Sequence, residues 1–327
     1  MTRVSIILAV TALCAGCAGP AAQPTSGGVV KITPLGSHDG EFCPLDRALV
    51  FEDPDGTRIL YDAGRTVRGP NDPRLGKIDA VLLSHVHGDH LGDLIQPSAN
   101  AGTCAKPNFS VDVTPNSNSV NIVLGKQAPL IVGGEAHSFF QVKVKSLGGD
   151  PGKLVRLVRF GAQTMVGKVM VAGVPAVHSN GLPPAFLPKE QAQALAAAGL
   201  TAYVGPPGGF VLRFSNGLTA YLSGDTGITA EQELVVRGHY KANLVVMNIG
   251  GFPFTTGPIE STYVVNELVR PNSVIASHAN EPATVDGKVA PNTKTAAFMK
   301  SAKMPVHVPL SGKTMDFDGS GRCVSGC

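Results

Sequence analysis

Three observations in the amino-acid sequence predict a single α/β domain, of the α+β kind, in which sheets carry helices on their outer faces. Short β-rich runs fill the first two thirds of the chain, strands and helices alternate in the last third, and neither an internal repeat nor a second linker divides it. At 327 residues, 43% hydrophobic and 16% charged, the chain has core enough for such a fold. Its net charge of +3, spread over scattered Lys and Arg, argues against a nucleic-acid partner.

The elements follow in order. Arg3 and the apolar stretch from Ile6 to Leu13, too short to span a bilayer, read as a signal peptide over residues 1–17. The segment "LCAGCAGP" resembles the lipobox of bacterial lipoproteins, with Ala15 and Gly16 before Cys17, but Cys14 stands where leucine is usual. Lipidation of Cys17, the one membrane attachment expected, and simple secretion therefore both stay open. Either route leads to the periplasm or cell envelope, where Cys43, Cys104, Cys323 and Cys327 are expected to pair. Three pairings exist; nearness in sequence favours 323 with 327, leaving 43 with 104.

Residues 18–28 form a Gly/Pro/Ser-rich linker, and the domain runs over 29–327. A strand starts at Val29, and "RALVFEDPDGTRILYDAG" reads as a hairpin about Asp53-Pro54-Asp55-Gly56. Further strands are expected near 80–84, 120–124, 141–147, 154–160, 166–177, 210–214 and 218–223. "TAEQELVVRG", with the capping pair Thr229 and Gln232, "PIESTYVVNELVR", opened by Pro258, and "NTKTAAFMKSA" read as helices. "LVVMNI", "SVIASH" and "VHVPL" read as the strands around them.

Nine histidines serve the whole chain, and three fall in "LSHVHGDH", residues 83–90. In an extended segment His85 and His87 point the same way and can share one metal ion. Gly88 allows a turn after which Asp89 and His90 face a neighbouring position. A helical zincin motif is excluded, because no Glu follows His85 and the spacing is wrong.

The string His85-Val86-His87-Gly88-Asp89-His90 resembles the HxHxDH signature of the metallo-β-lactamase superfamily, a four-layered αββα sandwich with one or two metal ions at one edge. That resemblance implies later ligands at the ends of β-rich runs, and His178, Asp225 and His278 stand where they belong. It implies His85, His87 and His178 on a first ion, Asp89, His90 and His278 on a second, and Asp225 as the bridge. Zinc suits these donors best, and manganese or iron would tolerate them. Asp89 and Asp225 would then be catalytic, holding a bridging hydroxide that attacks a small-molecule substrate.

The β-lactamases of that superfamily generally carry Cys or Ser where this chain has Asp225. "SGDTG", "MNIGGFPFTTGPIES" and "SHANE" look like the branch that includes ascorbate-6-phosphate lactonase and many metal-dependent hydrolases. The resemblance thus implies hydrolysis of an ester, lactone or phosphodiester. The alternatives are a β-lactamase-type amide hydrolase and a non-catalytic surface module with a structural metal site.

Residues 181–209 read as an insertion beside the site, either a lid or mere packing; as a lid, its Leu182, Phe186, Leu187 and Tyr203 would give the substrate an apolar wall. His38 is a further substrate-side candidate. Glu281 would either orient His278 or lie exposed, and His137, His239 and His307 read as structural or surface residues.

Overall fold

The predicted hairpin seeds the first sheet: Leu49–Glu52 pairs antiparallel with Arg58–Tyr61, Glu52 facing Arg58 across the ladder. The Arg58 guanidinium bonds that carboxylate, and an opposite-charge pair in this position supports the register. Val30–Pro34 lies along the outer side of Leu49–Glu52, and Ala80–Leu82 joins Arg58–Tyr61 in parallel. Leu130–Val132 and Val155–Leu157 extend the parallel half, while Met315–Phe317 and Cys323–Ser325 finish the other edge, giving eight strands. The described residues are 27–327 of this computed structural model. The signal peptide, Cys17 and all of the linker except Gly27 and Gly28 lie outside them.

A second sheet of seven strands runs in the order Gln163–Val166, Val169–Pro175, Gly208–Arg213, Thr219–Leu222, Leu244–Asn248, Ser273–Ser277 and Val306–His307. Side-chain alternation decides how the layers stack. Phe51, Ile59 and Leu82 point inward to meet Val171, Leu212, Ala220 and Val246 between the sheets. Their neighbours Val50, Leu60 and Val81 point outward, where the helices Asn118–Lys126 and Ala136–Ser146 cover them with Val120, Val123, Phe140 and Val144. On the far side Tyr221, Val245 and Val274 pack beneath the helical segments Gln232–Arg237, Pro258–Tyr263, Val264–Val269 and Lys294–Ser301. The result is the expected αββα stack, with three apolar layers in which each fully buried Phe or Leu contributes about 1.5–3 kcal/mol.

Two expected strands are corrected. Residues 120–124 and 141–146 lie in the helices just named, and Leu147 caps the second. Their β-branched residues suit a strand, but the apolar positions recur at helical spacing: Val120 with Val123, and Ala136, Phe140 and Val144 four apart. Ser117 caps the first helix by accepting from Val120 N. The structure joins Cys43 to Cys104 and Cys323 to Cys327. Among the described residues no helix is long and apolar enough to cross a membrane.

Strand direction places the site. Arg58–Tyr61 and Ala80–Leu82 are parallel, as are Thr219–Leu222, Leu244–Asn248 and Ser273–Ser277. Val169–Pro175 runs the same way as the last three, being two antiparallel steps from Thr219–Leu222. The loops at the C-terminal ends of these strands meet at one edge of the sandwich.

Candidate metal centre

Each loop brings one part of the predicted set. His85 and His87 lie in the extended segment after Ala80–Leu82, and Asp89 and His90 in the short helix Gly88–Leu91. His178, Asp225 and His278 follow the strands ending at Pro175, Leu222 and Ser277. Donor atoms of His85, His87 and His178 lie within 4.8 Å of one another, as do those of Asp89, His90 and His278, and those of His85, His90 and Asp225. Asp225 is central, with Oδ2 at 3.9 Å from His85 Nε2, 3.8 Å from His178 Nε2 and 3.0 Å from His278 Nε2, and Oδ1 at 3.3 Å from His90 Nε2.

Hydrogen bonds behind the histidines turn them. Asp62, fully buried at the end of the hairpin, accepts from His90 Nδ1 (2.8 Å), Ser84 Oγ (2.7 Å) and Ser84 N (2.8 Å). With its own hydrogen spent on Asp62, Ser84 Oγ is an acceptor for His85 Nδ1 at 3.0 Å. Both rings therefore hold their proton on Nδ1 and present an Nε2 lone pair to the centre, the arrangement that second partners of metal-bound histidines impose. Asn180 fixes the strand exit by accepting from Val86 N, and Thr226 Oγ1 accepts from Val177 N, tying the His178 loop to the Asp225 loop. Asp62, His278 and Asn280 hold left-handed backbone with φ of 42°, 52° and 53°. Non-glycine residues accept that strain where the surrounding contacts over-determine it. Gly64 is required next to Asp62: at φ +52° a Cβ would stand 2.5 Å from Asp89 O.

The electrostatics suit a cation. Burial, reinforced by neighbouring His90, pushes the His85 ring well below the usual histidine range, and burial lowers His87 and His178 as well. Rings that stay neutral are ready to ligate. Burial opposes ionisation of Asp225, but His278 and His90 outweigh it and hold the carboxyl well below its ordinary value. His85 Nε2, His278 Nε2 and Asp225 Oδ1 are buried without a hydrogen-bond partner. Orphaned donors of this kind, aimed at a common point among imidazoles and carboxylates, fit one or two divalent ions of the zinc type.

A cavity of about 350 Å³ opens over this centre, lined by His87, Asp89, His178, Asp225, His278 and Phe254, with Ser179, Gly251, Thr255 and Asn280 completing the wall. None of the substrate-side candidates lines it. Leu182 and Phe186 are buried, and with Leu187 they pack on the outer-helix core beside Val86 and Phe140; the short pair Gly181–Leu182 with Ala202–Tyr203 folds the insertion onto that layer. Tyr203 is 64% exposed away from the cavity, and His38 bonds its neighbour Ser37. Apolarity misled here, because a buried contact and a binding wall demand the same residues. The apolar feature at the cavity is instead Phe254, 80% exposed, with Phe252 exposed beside it.

Glu281 is no partner of His278: it accepts from Lys294 N, Thr295 N and Thr295 Oγ1, closing the start of the Lys294–Ser301 helix. Glu281→Ala is expected to lower stability by about 1–2 kcal/mol in urea unfolding while leaving metal content unchanged. Loss of metal would return Glu281 to the site. Sequence reading missed Arg47, Asp62, Ser84, Asn180 and Asn280. Only Asp62 had a local signal, a carboxylate directly ending a buried strand.

Comparison with known proteins agrees with this architecture. Residues 57–260 match the β-lactamase superfamily domain, and the chain belongs to the metallo-β-lactamase superfamily. Among its relatives, the UPF0173 metal-dependent hydrolase of Cupriavidus necator is 30% identical over 97% of this chain and 100% of that protein. A second UPF0173 metal-dependent hydrolase, from Polynucleobacter asymbioticus, is 29% identical over 81% of each chain. Among solved structures, the metallo hydrolase Igni18 of Ignicoccus hospitalis shares the fold at a TM-score of 0.58 and 20% identity, over 89% of this chain and 99% of that one.

Proposed function

We propose that the chain is an exported metal-dependent hydrolase that cleaves an ester, lactone or phosphodiester in a small molecule with an apolar portion. The observation that carries this reading is the convergence of seven donor residues, three with orphaned buried atoms and five of them lining an open cavity. A structural ion needs four ligands and no cavity. The relatives' description as metal-dependent hydrolases supports the same class.

His85, His87 and His178 would hold one ion and Asp89, His90 and His278 the other, with Asp225 between them; zinc is favoured. Bound there, divalent ions supply the chemistry by acidifying water and polarising the bond under attack. The chain's own residues do the rest. Asp225, kept ionised by His278 and His90, is the anion at the cavity floor and a ready acceptor for a water proton. Phe254 offers an apolar wall, and among the described residues no Lys or Arg lines the cavity, which favours an apolar acyl or aryl group over a sugar phosphate. Export, with or without lipid on Cys17, is the reading that the leader sequence supports.

A screen of metal-replete protein against p-nitrophenyl esters of increasing chain length, aryl lactones, thioesters, phosphodiesters and a β-lactam tests the proposal. Cleavage of an acyl or aryl ester that is lost in His178→Ala and weakened in KM by Phe254→Ala is expected. No turnover on any of these substrates would overturn it, and turnover of the β-lactam alone would replace it with amide hydrolysis.

A further inference from the structure

The two halves of the centre are not equivalent, and the difference is a buried arginine. Arg47 precedes the strand Leu49–Glu52, and its side chain is only 2% exposed. The loop that carries it is clamped by Asp46, whose carboxylate accepts from Ser37 N and Cys43 N, and by the Cys43–Cys104 bond. From there the guanidinium reaches the donors assigned to the second ion. Its Nε lies 2.8 Å from Asp89 Oδ2 and 3.1 Å from His90 Nε2, and its Nη2 lies 2.5 Å from Asp89 Oδ2. The nearest atoms of the first set, on His85, His87 and His178, take no hydrogen bond from any Arg or Lys among the described residues.

A second contact acts on the remaining ligand. Arg47 Nη2 donates to Asn280 Oδ1 at 2.9 Å, which turns the other end of that amide, Nδ2, toward His278 Nδ1 at 3.2 Å. An amide NH2 can only donate, so His278 Nδ1 must accept and the ring's proton sits on Nε2, which lies 3.0 Å from Asp225 Oδ2 without making a hydrogen bond to it. That tautomer has no lone pair on Nε2 for a metal. One guanidinium thus occupies the lone pair of His90, shares the oxygen of Asp89 and, through Asn280, sets His278 in its non-ligating form.

We propose that Arg47 is a built-in cation in the second half of the centre, so that the protein holds one ion tightly on His85, His87 and His178 beside Asp225 and a second only weakly. Arginine stays charged at every working pH, and in a buried site it repels a divalent neighbour that must share its acceptors. A second ion has to push the guanidinium off His90 and rotate Asn280 before His278 can turn its lone pair inward. With one ion bound, Arg47 keeps Asp89 and His90 in place, so the cavity floor does not need the second ion to keep its shape. This assignment rests on the metal-centre reading above.

Metal content is the test. Chelator-stripped full-length protein is titrated with Zn2+ and followed by calorimetry and by metal analysis after dialysis. Wild type is expected to keep one ion per chain and to bind the second at least about 10–100-fold more weakly, while Arg47→Met binds two of similar affinity. Arg47→Lys, which keeps the charge but loses the fork, should fall between them. Nitrogen-15 NMR of the one-ion form should find the His278 proton on Nε2 in wild type and not in Arg47→Met. Two equally tight ions in wild type would overturn the proposal even if no variant folds, and so would a folded Arg47→Met that binds fewer ions than wild type, the result of a merely structural role. No ion bound by any form would instead overturn the metal-centre reading itself.

Discussion

Asp225→Ala is expected to lose most of the bound metal and more than about 100-fold of any hydrolytic rate, a larger effect than any single histidine replacement at the centre. The reason is position. Among the described residues, Asp225 is the one group whose carboxylate lies within 4 Å of His85, His90, His178 and His278 together. A histidine variant removes one neutral donor from one half, whereas this variant removes the shared donor and the negative charge that offsets an incoming divalent ion in a buried site. Asp225→Asn separates the two contributions, since it keeps the shape and one acceptor oxygen without the charge. It is expected to retain more metal than alanine but far less than wild type. Metal analysis after dialysis, with circular dichroism to verify the fold, checks both variants, and full retention with full activity in Asp225→Ala would refute the bridging role.

The positions of the candidate ligands were legible in the sequence for a definite reason. Each sits at the end of a strand whose apolar run is long enough to recognise, so the chemistry and the fold announce the same boundary: Leu83 before His85, Leu222 before Asp225, Ile275 before His278. The sandwich was legible from the same runs. What stayed hidden depends on contacts distant in sequence. Val120–Leu124 and Gln141–Ser146 lie in helices because their outward neighbours on the sheet, Leu130 and Val132, need a cover, which no local propensity records. Arg47 reaches Asp89 across 42 positions and Asn280 across 233, so nothing near Arg47 marks it as part of the site. Leu182 and Phe186 err the other way, since apolar residues near a site in sequence are turned from it by the short strand pair that holds them.

Asp62→Asn is expected to weaken the tightly held ion by about 10–100-fold and to lower the stability of the metal-free protein by about 1–3 kcal/mol. Asp62 has no lone pair on the metal and no face in the cavity, so the effect must travel through the groups it binds. One oxygen takes the Ser84 backbone N–H, and the other takes both His90 Nδ1–H and Ser84 Oγ–H. An asparagine keeps one acceptor oxygen and puts an NH2 where the other was, so either the Ser84 backbone donor or the pair on the second oxygen is left facing hydrogens in a fully buried site. If the pair is lost, Ser84 Oγ–H turns toward His85 Nδ1, and the proton of that ring moves to Nε2, the atom meant for the first ion. His90 loses its anchor in the same step. Ser84→Ala tests the relay separately: it keeps the Asp62 carboxylate and its bond to His90 Nδ1 but removes the hydroxyl that links Asp62 to His85, so it should weaken the first ion by less than Asp62→Asn does. Equal metal affinity in wild type and Asp62→Asn, measured by competition with a chelator, would show that the carboxylate braces the loop without setting the histidine tautomers. A Ser84→Ala variant as damaged as Asp62→Asn would place the whole effect on His85.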